Sequence, residues 1–127
     1  MTKTSISEII SELGGALASD SRISSKPWGA LAFLVENKGR STSGYRYVGD
    51  DEWEAQAPYD VPVLRMFRTL HAAMKAEGND WKCALFTIKR SDMQLNVDFE
   101  YDDPDRWKFT VQGVEGIKAY AMSLRPD

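Results

Sequence analysis

Residues 81–107 read WKCALFTIKRSDMQLNVDFEYDDPDRW, and their alternation decides the fold. From Met93 to Asp102 apolar and polar side chains alternate without a break. Met93, Leu95, Val97, Phe99 and Tyr101 fall on one side, and Gln94, Asn96, Asp98, Glu100 and Asp102 on the other. That is the period of a half-buried strand. The run from Lys82 to Arg90 is rich in strand-forming types, and Ser91-Asp92 is short enough for a two-residue hairpin turn. Such a turn sets Arg90 opposite Met93, Ile88 opposite Leu95, Phe86 opposite Val97 and Ala84 opposite Phe99. The apolar pairs then share one face. The other face takes Lys89 with Gln94, Thr87 with Asn96, Leu85 with Asp98, Cys83 with Glu100 and Trp81 with Asp102. A slip of one residue scatters both sets, so this register is favoured. One face is expected to build the core. The other carries a row of acids and needs a cover or a function.

Before this hairpin, Asp60 is expected to cap a helix with Pro62 in its first turn. Val63, Phe67, Leu70 and Met74 give that helix one apolar stripe, and Gly78 is a natural stop. Residues 49–59 hold Asp50, Asp51, Glu52, Trp53 and Glu54 and read as a loop or a short extra turn. Two readings of Trp53 stand side by side: a ring folded onto the core beneath a solvated acidic loop, or a binding hot spot with a charged rim. Further upstream, Trp28 to Val35 is apolar on both faces, as an interior strand is. Asn37-Lys38-Gly39 signals a turn, and Ser43 to Val48 follows with Tyr45 and Tyr47 opposite Arg46. Ser5 and Glu8 fit a capping box for a first helix with Ile6, Ile9, Ile10, Leu13 and Leu17 on its stripe. Gly14-Gly15 weakens that helix but lets another element come close.

After the hairpin, Asp102 to Asp105 with Pro104 breaks the sheet. Trp107, Phe109 and Val111 alternate, which allows a short fifth strand. Val114, Ile117, Ala121 and Leu124 form the stripe of a last helix. The expected fold is α+β: one domain over residues 1–127, an antiparallel four- or five-stranded sheet, and the order α-β-β-α-β-β-(β)-α, with helices mainly on one face.

The 127 residues suffice for one core, and 19 acids against 16 bases give a mildly acidic chain. A nucleic-acid binder normally carries a basic stripe, so no nucleic-acid partner is expected. An acidic protein suits a basic partner. The single Cys83 rules out an internal disulfide and a zinc site built on cysteines. No apolar run reaches membrane-spanning length and no signal peptide is visible, so a cytoplasmic location without membrane association is expected. The one histidine, His71, sits at the edge of a helical stripe with no ligand partner nearby and reads as structural. No catalytic residue, metal site or cofactor is expected. Asp98, Glu100 and Asp102 recur roughly 7 Å apart along one strand. In-line acids do not converge on one point as a magnesium site requires. They repel one another, so a positive partner relieves a cost. Within the chain, Lys82, Lys89, Arg90 or Arg106 can supply that charge.

The same stretch resembles a known family. LNVDFEYDD preceded by WKCALFTI is similar to the signature of the YezG-like antitoxins, immunity proteins of bacterial polymorphic toxin and contact-dependent growth inhibition systems. In that family a strand ends in the run apolar, Asn or Lys, apolar, Asp, Phe, acid or Ser, Tyr, acid. Leu95, Asn96, Val97, Asp98, Phe99, Glu100, Tyr101 and Asp102 occupy those positions here. The chain departs from the pattern after the motif, where Trp107 comes early. The resemblance implies an immunity protein with no catalysis of its own. It would neutralise a cognate toxin domain, expected to be a basic nuclease, by covering its active site or substrate groove. The expected toxin-binding set is Asp98, Glu100 and Asp102, helped by Asp50, Asp51, Glu52 and Trp53. The alternative is a small cation-dependent enzyme or ligand-binding domain that uses the acidic strand face.

Overall fold

A computed structural model gives the architecture and describes residues 5–49, 52–108 and 114–126. The elements are α1 (Ile6–Ser19), β1 (Ala30–Glu36), β2 (Ser41–Tyr47), β3 (Trp53–Ala55), α2 (Val61–Ala76), β4 (Cys83–Lys89), β5 (Leu95–Glu100) and α3 (Val114–Leu124). The strands form one antiparallel sheet in the order β3-β2-β1-β4-β5. This is the expected α+β domain, with β1 at its centre and β3 and β5 at its edges. The fifth strand is Trp53–Ala55, within the stretch read as a loop. It pairs Trp53 with Tyr47 and Glu54 with Arg46. Too short to show an alternation of its own, it forms because β2 offers it an edge. Phe109 and Val111 lie outside the described residues.

The β4–β5 register is the expected one. Ile88 faces Leu95, Phe86 faces Val97, Ala84 faces Phe99, Leu85 faces Asp98 and Cys83 faces Glu100. The turn is longer than two residues. The Met93 N–H donates to the Lys89 carbonyl at 2.8 Å, and Met93 adopts φ 54°. Met93 is therefore exposed rather than core-facing. Tyr101 lies just past the strand end and is exposed as well. Trp81 also departs from the simple alternation. The Lys82 N–H donates to the Glu100 carbonyl at 2.7 Å while Cys83 is Glu100's ladder partner. Two residues of one strand thus face one of the other, as in a bulge. The extra residue turns Trp81 into the core, where it is 1 % exposed and packs against His71 and Phe99.

The main core lies between the sheet and the helices α1 and α2. Ile9, Leu13 and Leu17 of α1, and Val63, Phe67, Leu70 and Met74 of α2, cover Leu31, Phe33, Val35, Ala84, Phe86 and Ile88. Ser5 caps α1 as its sequence predicts, its Oγ accepting from the Glu8 N–H at 3.2 Å. Gly14 faces Leu95 of β5, and a Cβ there would stand 3.2 Å from the Leu95 Cβ. A second, smaller cluster on the opposite face joins Ala30, Ala32, Tyr47 and Leu124, with Tyr45, Trp53, Trp107 and Tyr120 packed around it. The Tyr47 hydroxyl donates to the Ala121 carbonyl, which ties α3 to β2.

Polar groups lock the stretch between α1 and α2. Asp20 is 1 % exposed. Its carboxylate accepts the N–H groups of Arg22, Ile23, Tyr59 and Asp60 at 3.0, 3.4, 2.9 and 2.8 Å. Asp60 begins α2, as expected, yet its side chain does not cap that helix; it accepts from Ser21 instead. Arg46 is buried on the helix-facing side, donating to Glu54 and to the carbonyls of Arg22 and Ile23. His71 is buried, with Nε2 at 2.9 Å from Asp80 Oδ1. Among the described residues no helix is long and apolar enough to cross a membrane.

Candidate functional site: the acidic edge strand

β5 presents Asn96 and Asp98 to solvent and leaves Leu95, Val97, Phe99 and Glu100 half-buried. Asp98 and Glu100 point away from the main core because Phe99 and Val97, between them, point into it. The cation that compensates them is Arg106, from the turn after the strand. Its guanidinium meets Asp98 Oδ2 at 3.0 Å and Glu100 Oε1 at 3.4 Å, and it stacks over the Trp107 ring at 4.3 Å. Of the four basic residues that the sequence left open for this role, Arg106 fills it. One guanidinium bridging two carboxylates relieves the repulsion between strand neighbours.

Glu100 has a second role. Its Oε2 accepts the N–H groups of Asp102 and Asp103 at 3.0 and 3.2 Å. Those bonds, led by the one from Asp102, hold its carboxyl below the usual glutamate value, and Arg106 adds to the effect. Glu100 thereby shapes the turn that delivers Arg106. Asp102 is exposed and lies beyond the strand, so it does not continue the in-line row. Beneath the turn sits Cys83, which is fully buried. Its thiol donates to the Asp103 carbonyl at 3.6 Å, and burial pushes its pKa up to about 11. A cleft of about 460 Å³ opens at this end of the sheet between Asp80, Lys82, Pro104 and Asp105 on one side and Glu36 and Lys38 on the other.

The second acidic segment is elsewhere. Glu52 and Trp53 belong to the β3 edge, four strand spacings or about 19 Å from β5. Trp53 is half-buried with its ring edge-on to Tyr45 at 5.5 Å, so the reading as a ring folded onto the protein describes it. Glu52 is exposed. Asp50 and Asp51 lie outside the described residues. The structure therefore brings Asp98 and Glu100 together with Arg106 and sets Asp102 close by, but it does not unite them with Glu52 and Trp53. Among the described residues no group of three His, Cys, Asp or Glu side chains is placed to hold a metal ion.

Sequence reasoning missed two polar side chains that organise the molecule, Asp20 and Arg46. Arg46 did leave a signal, because it alternates with two tyrosines in a strand that has both faces covered. Asp20 left none beyond its place after the last α1 residue. Comparison with family models, with curated proteins and with solved structures finds no match for this chain.

Proposed function

We propose that this protein is an immunity protein that binds and neutralises a cognate toxin domain and has no catalysis of its own. The observation that carries the reading is that the stretch resembling the immunity-protein signature supplies the edge strand Leu95–Glu100, with Asp98 exposed, Glu100 half-buried beside it and Asp102 exposed just past the strand end. A toxin nuclease needs a basic groove for its substrate, and an acidic edge is a suitable cover for such a groove. Asp98, Glu100 and Asp102 are the centre of the proposed surface. Glu52 contributes only with a toxin large enough to reach the opposite edge; Asp50 and Asp51 stay in the proposed set on their sequence alone. The expected location is the cytoplasm, where such a toxin would act.

The test uses the toxin domain that this reading expects to be encoded next to the gene for this chain. Asp98→Lys should weaken its binding and abolish protection of cells while the folded fraction stays unchanged; Glu100→Lys should weaken binding too, and in addition loosen the turn whose amides Glu100 accepts. Raising salt should slow association more than it speeds release, as for a steered encounter. If both variants bind and protect as well as wild type, the acidic surface is merely solvated and the proposed interface is wrong.

A further inference from the structure

The proposed toxin surface is also a sheet edge with no described strand beyond it, and the hydrogen-bond phase of the sheet identifies the backbone groups it offers. In an antiparallel pair the N–H and C=O of one residue point to the same side, and the side alternates along the strand. The Arg90 N–H donates to the Gly29 carbonyl at 2.9 Å, one step beyond the Ala30–Lys89 pair. Ile88, Phe86 and Ala84 therefore direct their backbone groups at β1. Thr87, Leu85 and Cys83 direct theirs at Asn96, Asp98 and Glu100. That leaves the N–H and C=O groups of Leu95, Val97 and Phe99 facing outward from the last strand of the sheet. Among the described residues none of these groups bonds outside the ladder. Proteins commonly blunt such an edge with proline, a bulge or a very short strand. β5 has no proline and is 6 residues long, and the bulge in its pairing lies in β4 at the far end, opposite Glu100, whereas the other edge strand, β3, is only 3 residues long.

We infer that the partner binds by adding a strand to β5, an extended segment in which Lys or Arg alternates with apolar residues. This inference rests on the immunity reading above and specifies how that surface is used. A strand laid along β5 at about 4.8 Å places its side chains next to those of β5 on both faces. On one face they would adjoin Asp98 and Glu100, where a basic residue fits. On the other they would adjoin the half-exposed Leu95, Val97 and Phe99, where an apolar residue extends the core. Charge selects the occupant. Arg106 balances only one of the two charges of Asp98 and Glu100, and exposed Asp102 adds another, so a second copy paired edge to edge would bring two net-negative surfaces together, while a basic segment supplies the missing positive charge.

The experiment is backbone hydrogen exchange on the full chain, alone and with the toxin domain that the immunity reading expects from the neighbouring gene. The Leu95, Val97 and Phe99 amides should exchange freely alone and become protected by about a hundredfold or more in the complex. The variant Val97→Pro removes one outward N–H and none of the ladder, a position where edge strands tolerate proline. It should remain folded and weaken toxin binding by about tenfold or more. A tight complex in which those amides still exchange freely overturns strand addition and leaves the immunity reading standing. No binding to the toxin domain overturns both. Protection already present in the free protein, together with a dimer in sedimentation, assigns the edge to a second copy and overturns the inference.

Discussion

Asp20 shows how one side chain can hold two helices in place. Four backbone N–H groups converge on its buried carboxylate, two from the turn after α1 and two from the entry to α2. Asp20→Asn keeps the shape but turns an amide NH2 toward N–H donors. It should cost about 2–4 kcal/mol in urea unfolding, since buried donors lose a charged acceptor. A loss below about half a kcal/mol would show that the clamp is dispensable. Phe99 tests the other class of residue. It packs against Trp81 and Phe86 with centroids 5.6 and 6.4 Å away but stays half-exposed at the sheet edge. Phe99→Ala should therefore cost roughly 2–3 kcal/mol, below the range for a fully enclosed phenylalanine. Alternation alone made Phe99 legible as core-facing. It could not make Trp81 legible, because a bulge adds a residue that no pattern of types announces.

Among the elements, α1 offers the sharpest contrast between neighbours. Nothing stands within 4 Å of a Cβ built on Gly15, whereas one built on Gly14 meets the Leu95 Cβ at 3.2 Å. Gly15→Ala should stabilise the protein by about 1 kcal/mol through helix propensity alone. Gly14→Ala should gain clearly less, since β5 must shift to admit the methyl group. Equal gains in thermal melts would mean that β5 yields freely. The β4–β5 hairpin was the most legible element because two faces of opposite character allow one register. β3 was illegible for the opposite reason: three residues carry no period, and the strand exists through its pairing with β2. The side of the sheet taken by α3 was likewise not written in its own stripe. Tyr47 and Tyr45, which need a cover, are the residues that place it.

For the whole molecule, acid should reveal which carboxylates hold the fold together. Arg46 lowers the Glu54 carboxyl below its ordinary value of 4.5, first through its hydrogen bond and then through its charge. Glu100 is lowered from the same value by the turn amides. Each binds protons more weakly folded than unfolded. Their contribution is thus present above about pH 4.5 and is lost as pH falls through the folded values. Urea stability should fall between pH 5 and pH 3, and Glu54→Gln should reduce that fall. An unchanged pH profile in the variant would remove Glu54 from the account. Asp98 and Glu100 were legible as facing away from the core, whereas Asp102, expected in the same row, lies past the strand end. Their compensation by Arg106 was not singled out, because the turn that returns Arg106 to the strand depends on hydrogen bonds to Glu100.

Cys83 turns that same turn into something that can be timed. It is the chain's one thiol, fully buried, with its S–H directed at the Asp103 carbonyl. A maleimide added to the native protein can reach it only when the segment from Asp102 to Trp107 swings away or β4 detaches. Labelling should therefore be slow, insensitive to reagent concentration once reagent is abundant, and far faster in Glu100→Gln, whose neutral side chain is the weaker acceptor for the turn amides. The rate then serves as a stopwatch on the opening of one corner of the domain, readable by mass spectrometry without a spectroscopic probe. If wild type and Glu100→Gln label at the same speed, the turn is not the door to the thiol.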